Sequence, residues 1–378
     1  MSEYVRLDEA CVLNMGQSPD SSSYNENCEG LPFFQGNADF GDKYPEVRIW
    51  CSAPTKIVEE NTLLISVRAP IGALNFSNTK SCIGRGLAGL TPTEEFDLKY
   101  IYYCLKGKHA ELNAKGTGST FKAISKNALG ETLVRKIDKK KQLEIVEILD
   151  KTYGVICNRK QELEQLDLLI KARFVELFGV PDINPMGWDE KQLSDCLDVV
   201  GGYAFKSDSF AEEGIPVLRI GNINAGYFKP VNMVYWENDK KLDRYKMYPG
   251  DLVMSLTGTV GKDDYGNVCI LGTEYAEYYL NQRNAKLDLW QGLNKYYLSY
   301  LLKFEQIKKK LTGISRGVRQ ANISNKDILN LCVPIPPIDL QEQFASFVTK
   351  VDKSKAAVQK ALDETQILFD SLMQKYFG

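Results

Sequence analysis

The sequence predicts an α+β protein: two similar mixed α/β domains, each followed by a long helix, the two helices pairing as an antiparallel coiled coil with pseudo-two-fold symmetry. Two observations predict it. Two stretches carry an apolar residue at every seventh position, and the globular stretches that precede them repeat each other in order. The expected divisions are 1–135 (first domain), 136–180 (central helix), 181–335 (second domain) and 336–378 (last helix).

Residues 1–135 alternate short apolar runs, rich in β-branched and aromatic residues, with Gly, Pro, Asn and Asp. LPFFQG (31–36), TLLISVRAPIGAL (62–74) and CIGRGLAGLTP (82–92) read as strands and turns. LKYIYYCLKGKHAELNAK (98–115) has helical spacing. GTGSTFKAISKNAL (116–129) is a polar loop running into a short element, and LVRKI (133–137) leads into the first long helix.

From about Asp138 to about Phe178, Leu149, Ile156, Leu163, Ile170 and Leu177 recur at intervals of seven, with Ile145, Tyr153, Leu166 and Phe174 three or four positions away. Such a repeat keeps one seam on one face, as lengthwise helix packing requires. Lys139, Lys140, Glu144, Glu147, Arg159, Lys160, Glu162 and Glu164 form the solvated faces. At 1.5 Å per residue the helix is about 60 Å long, more than one small domain can bury, so it needs a partner. Gly154 is its weak point, costing about 1 kcal/mol relative to alanine. Gly179 is placed to cap it and Pro181 to stop it.

Trp188 opens a second globular stretch that answers the first piece by piece. GIPVLRIGNI (214–223) matches GLPFFQGNA (30–38), GDLVMSLTGTVG (250–261) matches NTLLISVRAPIG (61–72), and LNQRNAKL (280–287) matches CIGRGLAGL (82–90). YYLSYLLK (296–303) matches KYIYYCLK (99–106), TGISRGVRQANISNKDI (312–328) matches GTGSTFKAISKNAL (116–129), and LCVPIPPIDLQEQF (331–344) matches LVRKIDKKKQLEIV (133–146). The offset widens along the chain, so the second copy carries insertions. After Pro336 and Pro337 the seam returns from about Leu340 to Tyr376: Phe344, Val351, Val358, Thr365 and Leu372, beside Val348, Lys355, Leu362, Phe369 and Tyr376. Two like domains on paired helices form a ruler with two reading surfaces, an object suited to a duplex DNA site made of two separated halves.

Composition narrows the chemistry. No apolar run approaches the eighteen or so residues of a membrane span, and the start, MSEYVRLDEACVLNMG, is acidic where a signal peptide would be basic. The nine cysteines are scattered without a C-x-x-C pair, so neither a disulfide framework nor a zinc site is expected and a reducing cytoplasm is. His109 is the one histidine, with no adjacent nucleophile, and reads as a surface residue. A net charge of −2 means that tight DNA binding has to come from local patches or from a partner.

The pieces LPFFQG and GIPVLRIGNI, LISVRAPIG and LVMSLTGTVG, IGRGLAGL, GSTFKAIS and SRGVRQANIS, and VPIPPIDLQEQF, doubled in order and separated by two long helices, resemble the specificity subunit of type I restriction–modification enzymes. The resemblance spans essentially the whole chain. It implies a non-catalytic subunit in which each globular unit is a target recognition domain reading one half of an asymmetric bipartite target in double-stranded DNA. It implies helices that set the spacing and dock two methyltransferase subunits for adenine methylation, with restriction subunits joining where a restriction motor is present. It also implies no cofactor on this chain: S-adenosylmethionine would sit on the methyltransferase subunits, ATP and magnesium on the motor. The residues agree about catalysis. NPMG (184–187) departs from an Asn-Pro-Pro-aromatic loop at its third and fourth positions, GTGSTFK (116–122) lacks phosphate-loop spacing, and Asp263–Asp264 reads as a turn.

The expected DNA contacts are polar and basic residues of the repeated loops. In the second domain they are Arg316, Arg319 and Gln320, with Lys308, Lys309 and Lys310 just before. Arginine can grip guanine or a phosphate, and glutamine can read adenine. Thr117, Ser119, Thr120 and Lys122 occupy the matching loop of the first domain and suit phosphates. Arg68 and Thr257 sit at matching turns, Gln17, Ser18 and Lys206 in early loops, and Arg85 and Arg283 at matching positions inside strand-like runs, where a structural role competes. Because Arg68-Ala-Pro answers Thr257-Gly-Thr, the two surfaces should not read identical bases. Two other readings compete: a stand-alone DNA-binding regulator or scaffold, which should bind specific DNA tightly by itself, and a fused methyltransferase, which should bind S-adenosylmethionine.

Overall fold

The computed structural model describes residues 3–118, 122–259, 262, 264–313 and 320–378. The chain divides into two compact units, one made of Met1–Lys160 with Gln359–Gly378, the other of Gln161–Val358.

In unit 1 the strands are β1 (Glu3–Arg6), β2 (Cys11–Met15), β3 (Tyr24–Asn25), β4 (Leu31–Phe34), β5 (Trp50–Cys51), β6 (Ile57–Val58), β7 (Leu63–Ser66), β8 (Leu74–Phe76), β9 (Ser81–Ile83), β10 (Leu87–Pro92) and β11 (Leu133–Lys136). The helices are α1 (Leu7–Ala10), α2 (Leu98–Gly107), α3 (His109–Ala114), α4 (Lys126–Gly130) and the first half of α5 (Lys139–Phe178). An antiparallel sheet runs β2-β10-β7-β8, a mixed sheet runs β3-β5-β4-β9-β6 with β4 and β9 parallel, and β1 pairs with β11. Leu63, Leu64 and Ile65 are all buried, since β7 is covered on both faces. Phe34, Val58, Leu64, Ile83 and Leu87 pack between the two larger sheets.

Unit 2 builds the same arrangement from β12 (Glu190–Gln192), β13 (Leu197–Gly201), β14 (Ile215–Leu218), β15 (Val234–Trp236), β16 (Lys246–Met247), β17 (Leu252–Ser255), β18 (Thr257–Thr259), β19 (Val268–Ile270), β20 (Tyr278–Leu280), β21 (Asn284–Leu289), β22 (Gln320–Asn322) and β23 (Cys332–Pro334). Its helices are α6 (Lys295–Leu301), α7 (Glu305–Thr312), α8 (Asn325–Leu329) and the first half of α9 (Ile338–Phe377). The sheet β13-β21-β17-β19 answers β2-β10-β7-β8, and β15-β14-β20-β16, again with one parallel pair, answers the mixed sheet. Equivalent serines start equivalent helices: Ser125 Oγ accepts from the Ala128 amide at α4, and Ser324 Oγ from the Asp327 amide at α8.

Both long helices are 40 residues. Each contributes its first half to one unit and its second half to the other. In unit 1, Arg159 of α5 donates to the Ala361 carbonyl and Thr365 hydroxyl of α9, and the Tyr153 ring packs at a tilt against Phe369, 5.8 Å between centroids. In unit 2, Lys355 of α9 pairs with Asp167 of α5 at 2.5 Å, and Phe174 meets Phe344 at 5.3 Å. Residue numbers rise on one helix as they fall on the other, so the pairing within each unit is antiparallel.

The domain-to-helix joints are the same in both units. Gln142 is fully buried near the start of α5; its Oε1 accepts from the Asp97 amide and its Nε2 donates to the Glu95 and Ile137 carbonyls. Gln341, equally buried near the start of α9, accepts from the Asn294 amide and donates to the Gly292 and Pro336 carbonyls. Tyr100 and Tyr297 donate to the carbonyls of Arg135 and Pro334. Each tyrosine meets the last phenylalanine of the helix arriving from the other copy, Phe377 at 5.4 Å and Phe178 at 4.8 Å. After Phe178, Gly179 takes φ +78° and its amide bonds the Val175 carbonyl, a left-handed helix stop that also brings Pro185 where a Cβ would clash.

Candidate nucleic-acid interface

Five loop segments are stitched into one edge of unit 1 by backbone hydrogen bonds. The Gln17 amide donates to the Ile83 carbonyl at 3.0 Å, and the Arg85 amide donates to Ser18 Oγ at 3.3 Å. The Val67 amide then bonds the Gly86 carbonyl, the Ile124 amide bonds the Val67 carbonyl, and the Ala69 amide bonds the Lys122 carbonyl. Bridges from Ala123 to Arg68 and to Thr117 close the series. Gln17, Arg68, Arg85, Thr117 and Lys122 are exposed along this edge, and Ser18 is half-buried behind Gln17. Ser119 and Thr120 lie outside the described residues.

Unit 2 repeats the stitching. The Tyr203 amide donates to the Leu280 carbonyl, the Leu256 amide to Arg283, and the Ile323 amide to Leu256. β18 pairs with β22, placing Thr257 opposite Asn322 and Thr259 opposite Gln320. Gln320 therefore lies in β22 by its backbone, while Arg316 and Arg319 lie outside the described residues. Lys206 is exposed and precedes a short 3₁₀ turn, Ser207–Ser209. Asp264 accepts from the Thr259 amide at 2.7 Å, a bond that holds its carboxyl below the usual aspartate value and makes it part of this turn.

The register corrects one pairing drawn from the sequence. Arg85 and Arg283 do not match: the carbonyls that accept from the Val67 and Leu256 amides belong to Gly86 and Arg283, so Arg283 stands where unit 1 has Gly86, and Arg85 where unit 2 has Gln282. Neither arginine is inside a strand; both lie exposed between the strands β9 and β10 or β20 and β21. Gly86 has a physical reason to stay glycine, since a Cβ there would lie 2.3 Å from the Gln35 carbonyl oxygen.

Unit 2 also holds residues that sequence reasoning missed, Tyr203, Arg219 and Gln282, beside Arg283, which it named. A cleft of about 540 Å³ is lined by Phe205, Ser207, Phe210, Arg219, Asn232, Asn281, Gln282 and Arg283. Arg219 donates to the Asn232 carbonyl, and Arg283 and Gln282 stand exposed at its rim. Tyr203, the equivalent of Gln17, is 37% exposed and packs on Phe205 and Tyr245 at 5.0 and 5.3 Å. The Tyr203 ring offers a stacking surface, and the guanidinium of Arg283 and the carboxamide of Gln282 at the cleft rim offer hydrogen-bond readout. The available signal was the run GGYAFK beside QRN, both placed in loops by the flanking strands.

The two edges share a backbone and differ in side chains. Asp20 and Lys206 both precede the short 3₁₀ turn after the first edge segment, and bonds from the Ser22 amide and hydroxyl hold the Asp20 carboxyl below its ordinary value. A fixed anion in one unit thus answers a cation in the other. Among the described residues no group of three or more His, Cys, Asp or Glu side chains could hold a metal, and no helix is long and apolar enough to cross a membrane.

The sequence profile of the type I restriction modification DNA specificity domain matches residues 2–168 and 185–365. The chain is 40% identical to the MjaX specificity subunit of Methanocaldococcus jannaschii over 154 residues, 40% of this chain and 36% of that protein. It is 25% identical to the type I restriction enzyme MjaVIII specificity subunit of the same organism, covering 95% of this chain and 89% of the relative. The type I restriction–modification system S subunit of M. genitalium has the same fold, with a TM-score of 0.60 at 19% identity over 100% of this chain and 96% of that one. A family profile that claims both globular units and most of both helices settles the class: this chain belongs to the family of type I restriction–modification DNA specificity subunits, which are non-catalytic.

Proposed function

We propose that each unit reads one half of an asymmetric bipartite DNA target and that the helices set the gap and dock two copies of a methyltransferase subunit, which methylate adenine in each half. The observation that carries this reading is the edge built twice on one backbone plan with different side chains: Gln17 against Tyr203, Asp20 against Lys206, Arg68 against Thr257, Arg85 against Gln282. One scaffold with two sets of donors and acceptors is what two different half-sites require. Two partner copies are supported by exposed apolar pairs at equivalent helix positions, Leu168 and Leu169 on α5, Ile367 and Leu368 on α9, all between 47% and 67% exposed. S-adenosylmethionine, ATP and magnesium belong to the partners in this reading.

The test is to co-express the chain with the methyltransferase of its own operon and map methylated adenines. A split, asymmetric motif with a fixed gap is expected, and exchanging residues 1–135 for those of a relative should change one half only. A continuous or palindromic motif would refute the two-reader arrangement, and specific DNA binding by the chain alone without methylation would favour a stand-alone regulator.

A further inference from the structure

We infer that unit 2 carries an oxyanion site for one backbone phosphate of the DNA, floored by Asn267 and Lys308, at a place where unit 1 has neither group. The inference rests on the DNA-reading function proposed above.

A cleft of about 790 Å³ opens between α7 and the β18–β19 connection. Lys262, Lys303, Lys308 and Lys309 line it with Asn267 and Thr312. Among the described residues that line it, the carboxylate is Glu305, which pairs with Lys309 at 2.5 Å. Four lysines and one glutamate among the described lining residues do not follow from composition, since the whole chain carries −2. Lys308 is only 8% exposed, and its Nζ donates to Asn267 Oδ1 at 2.7 Å. That bond fixes the carboxamide, because turning it over would set an amide donor against an ammonium. Asn267 Nδ2 is then a buried donor with no partner among the described residues. A buried donor left open beside several ammonium groups is satisfied by an anion, and lysines acting as point charges suit a phosphate.

Unit 1 has the same backbone without the donors. The Ala73 amide bonds Ser66 Oγ as the Asn267 amide bonds Ser255 Oγ, so Ala73 holds the place of Asn267. Gly72 faces His109 and Leu112 where Gly266 faces Lys308 and Thr312, so His109 holds the place of Lys308. The grip on the backbone is therefore one-sided.

The test uses the full chain with its methyltransferase subunits and the duplex whose motif the methylation map defines. Binding is measured by fluorescence anisotropy over a salt series for the wild type, for Lys308→His and Asn267→Ala, which install the unit 1 residues, and for Lys262→Gln with Lys309→Gln, which alters exposed side chains only. Each altered complex should lose about tenfold in affinity or more at fixed salt, its log K against log salt slope should be shallower by about one, and the methylated motif should stay the same. His109→Gln should keep the wild-type slope. Unchanged slopes in both sets overturn the inference while leaving the DNA-reading function intact; a changed motif overturns it in favour of base reading. Stabilisation of the wild type by inorganic phosphate, lost in Lys308→His but with DNA slopes unchanged, would mark a free-anion site and also overturn it. No DNA binding by the wild-type complex refutes the function and the inference together.

Discussion

Gln142 and Gln341 make the same three hydrogen bonds in the same buried position, whereas Asp20 and Lys206, or Arg85 and Gln282, occupy equivalent backbone positions with unlike chemistry. Where a domain meets its helix, the two copies keep both residue and geometry. Where the loops face outward, they keep the backbone and exchange the side chains. Burial explains the division. A polar group sealed inside must find all its partners, so each glutamine is tied to three backbone atoms that the fold already positions. An exposed side chain at a loop edge is restrained only by its backbone, so it can change without cost to the fold.

The comparison breaks most sharply at the aromatic joint of unit 2. Phe174 is fully buried against Phe178, Tyr297, Phe304 and Phe344 at 4.9–5.5 Å, while its counterpart on α9, Met373, is only half-buried. Phe174→Ala should cost about 4 kcal/mol in urea unfolding of unit 2, and Met373→Ala about half of that in unit 1. Equal losses would show that the joints are energetically alike despite their different packing.

Next come the glutamines. Gln142→Ala and Gln341→Ala each strand one amide and two carbonyls, and each should cost about 3 kcal/mol in the unit that contains it. Matching values would sharpen the claim that the joint is preserved; a loss in one unit only would break it. The smallest effect separates the helices. Gly154 of α5 has open space where a Cβ would stand, so Gly154→Ala should stabilise by about 1 kcal/mol, seen as a higher unfolding midpoint with an unchanged slope.

Much of the fold was legible in the sequence because it rests on periodicity. The seams through Leu149, Ile156 and Ile170 and through Phe344, Val348 and Val351 are buried in the structure, and the loops flanked by strand signals became the two edges. What was harder to read lacked a periodic signature. Two arginines were matched by identity, yet the register is set by buried backbone bonds at Val67 and Leu256, which side-chain similarity does not reveal. Gln142 and Gln341 carry no apolar signal; the hint is a glutamine at a seam position, three residues before Ile145 and Phe344, in both copies. Tyr203 and Gln282 escaped notice because a lone aromatic or amide in a Gly- and Asn-rich loop carries no pattern until its neighbours are placed.

The exchange of helix halves has a consequence for how the protein is made. Every residue of unit 2, Gln161–Val358, has been synthesised before the ribosome reaches the stretch Gln359–Gly378 that completes unit 1, where Phe369 packs on Tyr103 and Phe377 on Tyr100. Domains ordinarily close in the order of translation, the N-terminal one first. Here the order is reversed: the later unit can close at once, and the earlier one waits for residues 359–378 to emerge. A nascent chain cut short by a late stop codon would therefore leave its first domain, not its last, unfinished, with Tyr100 and Tyr103 uncovered for quality-control factors to find.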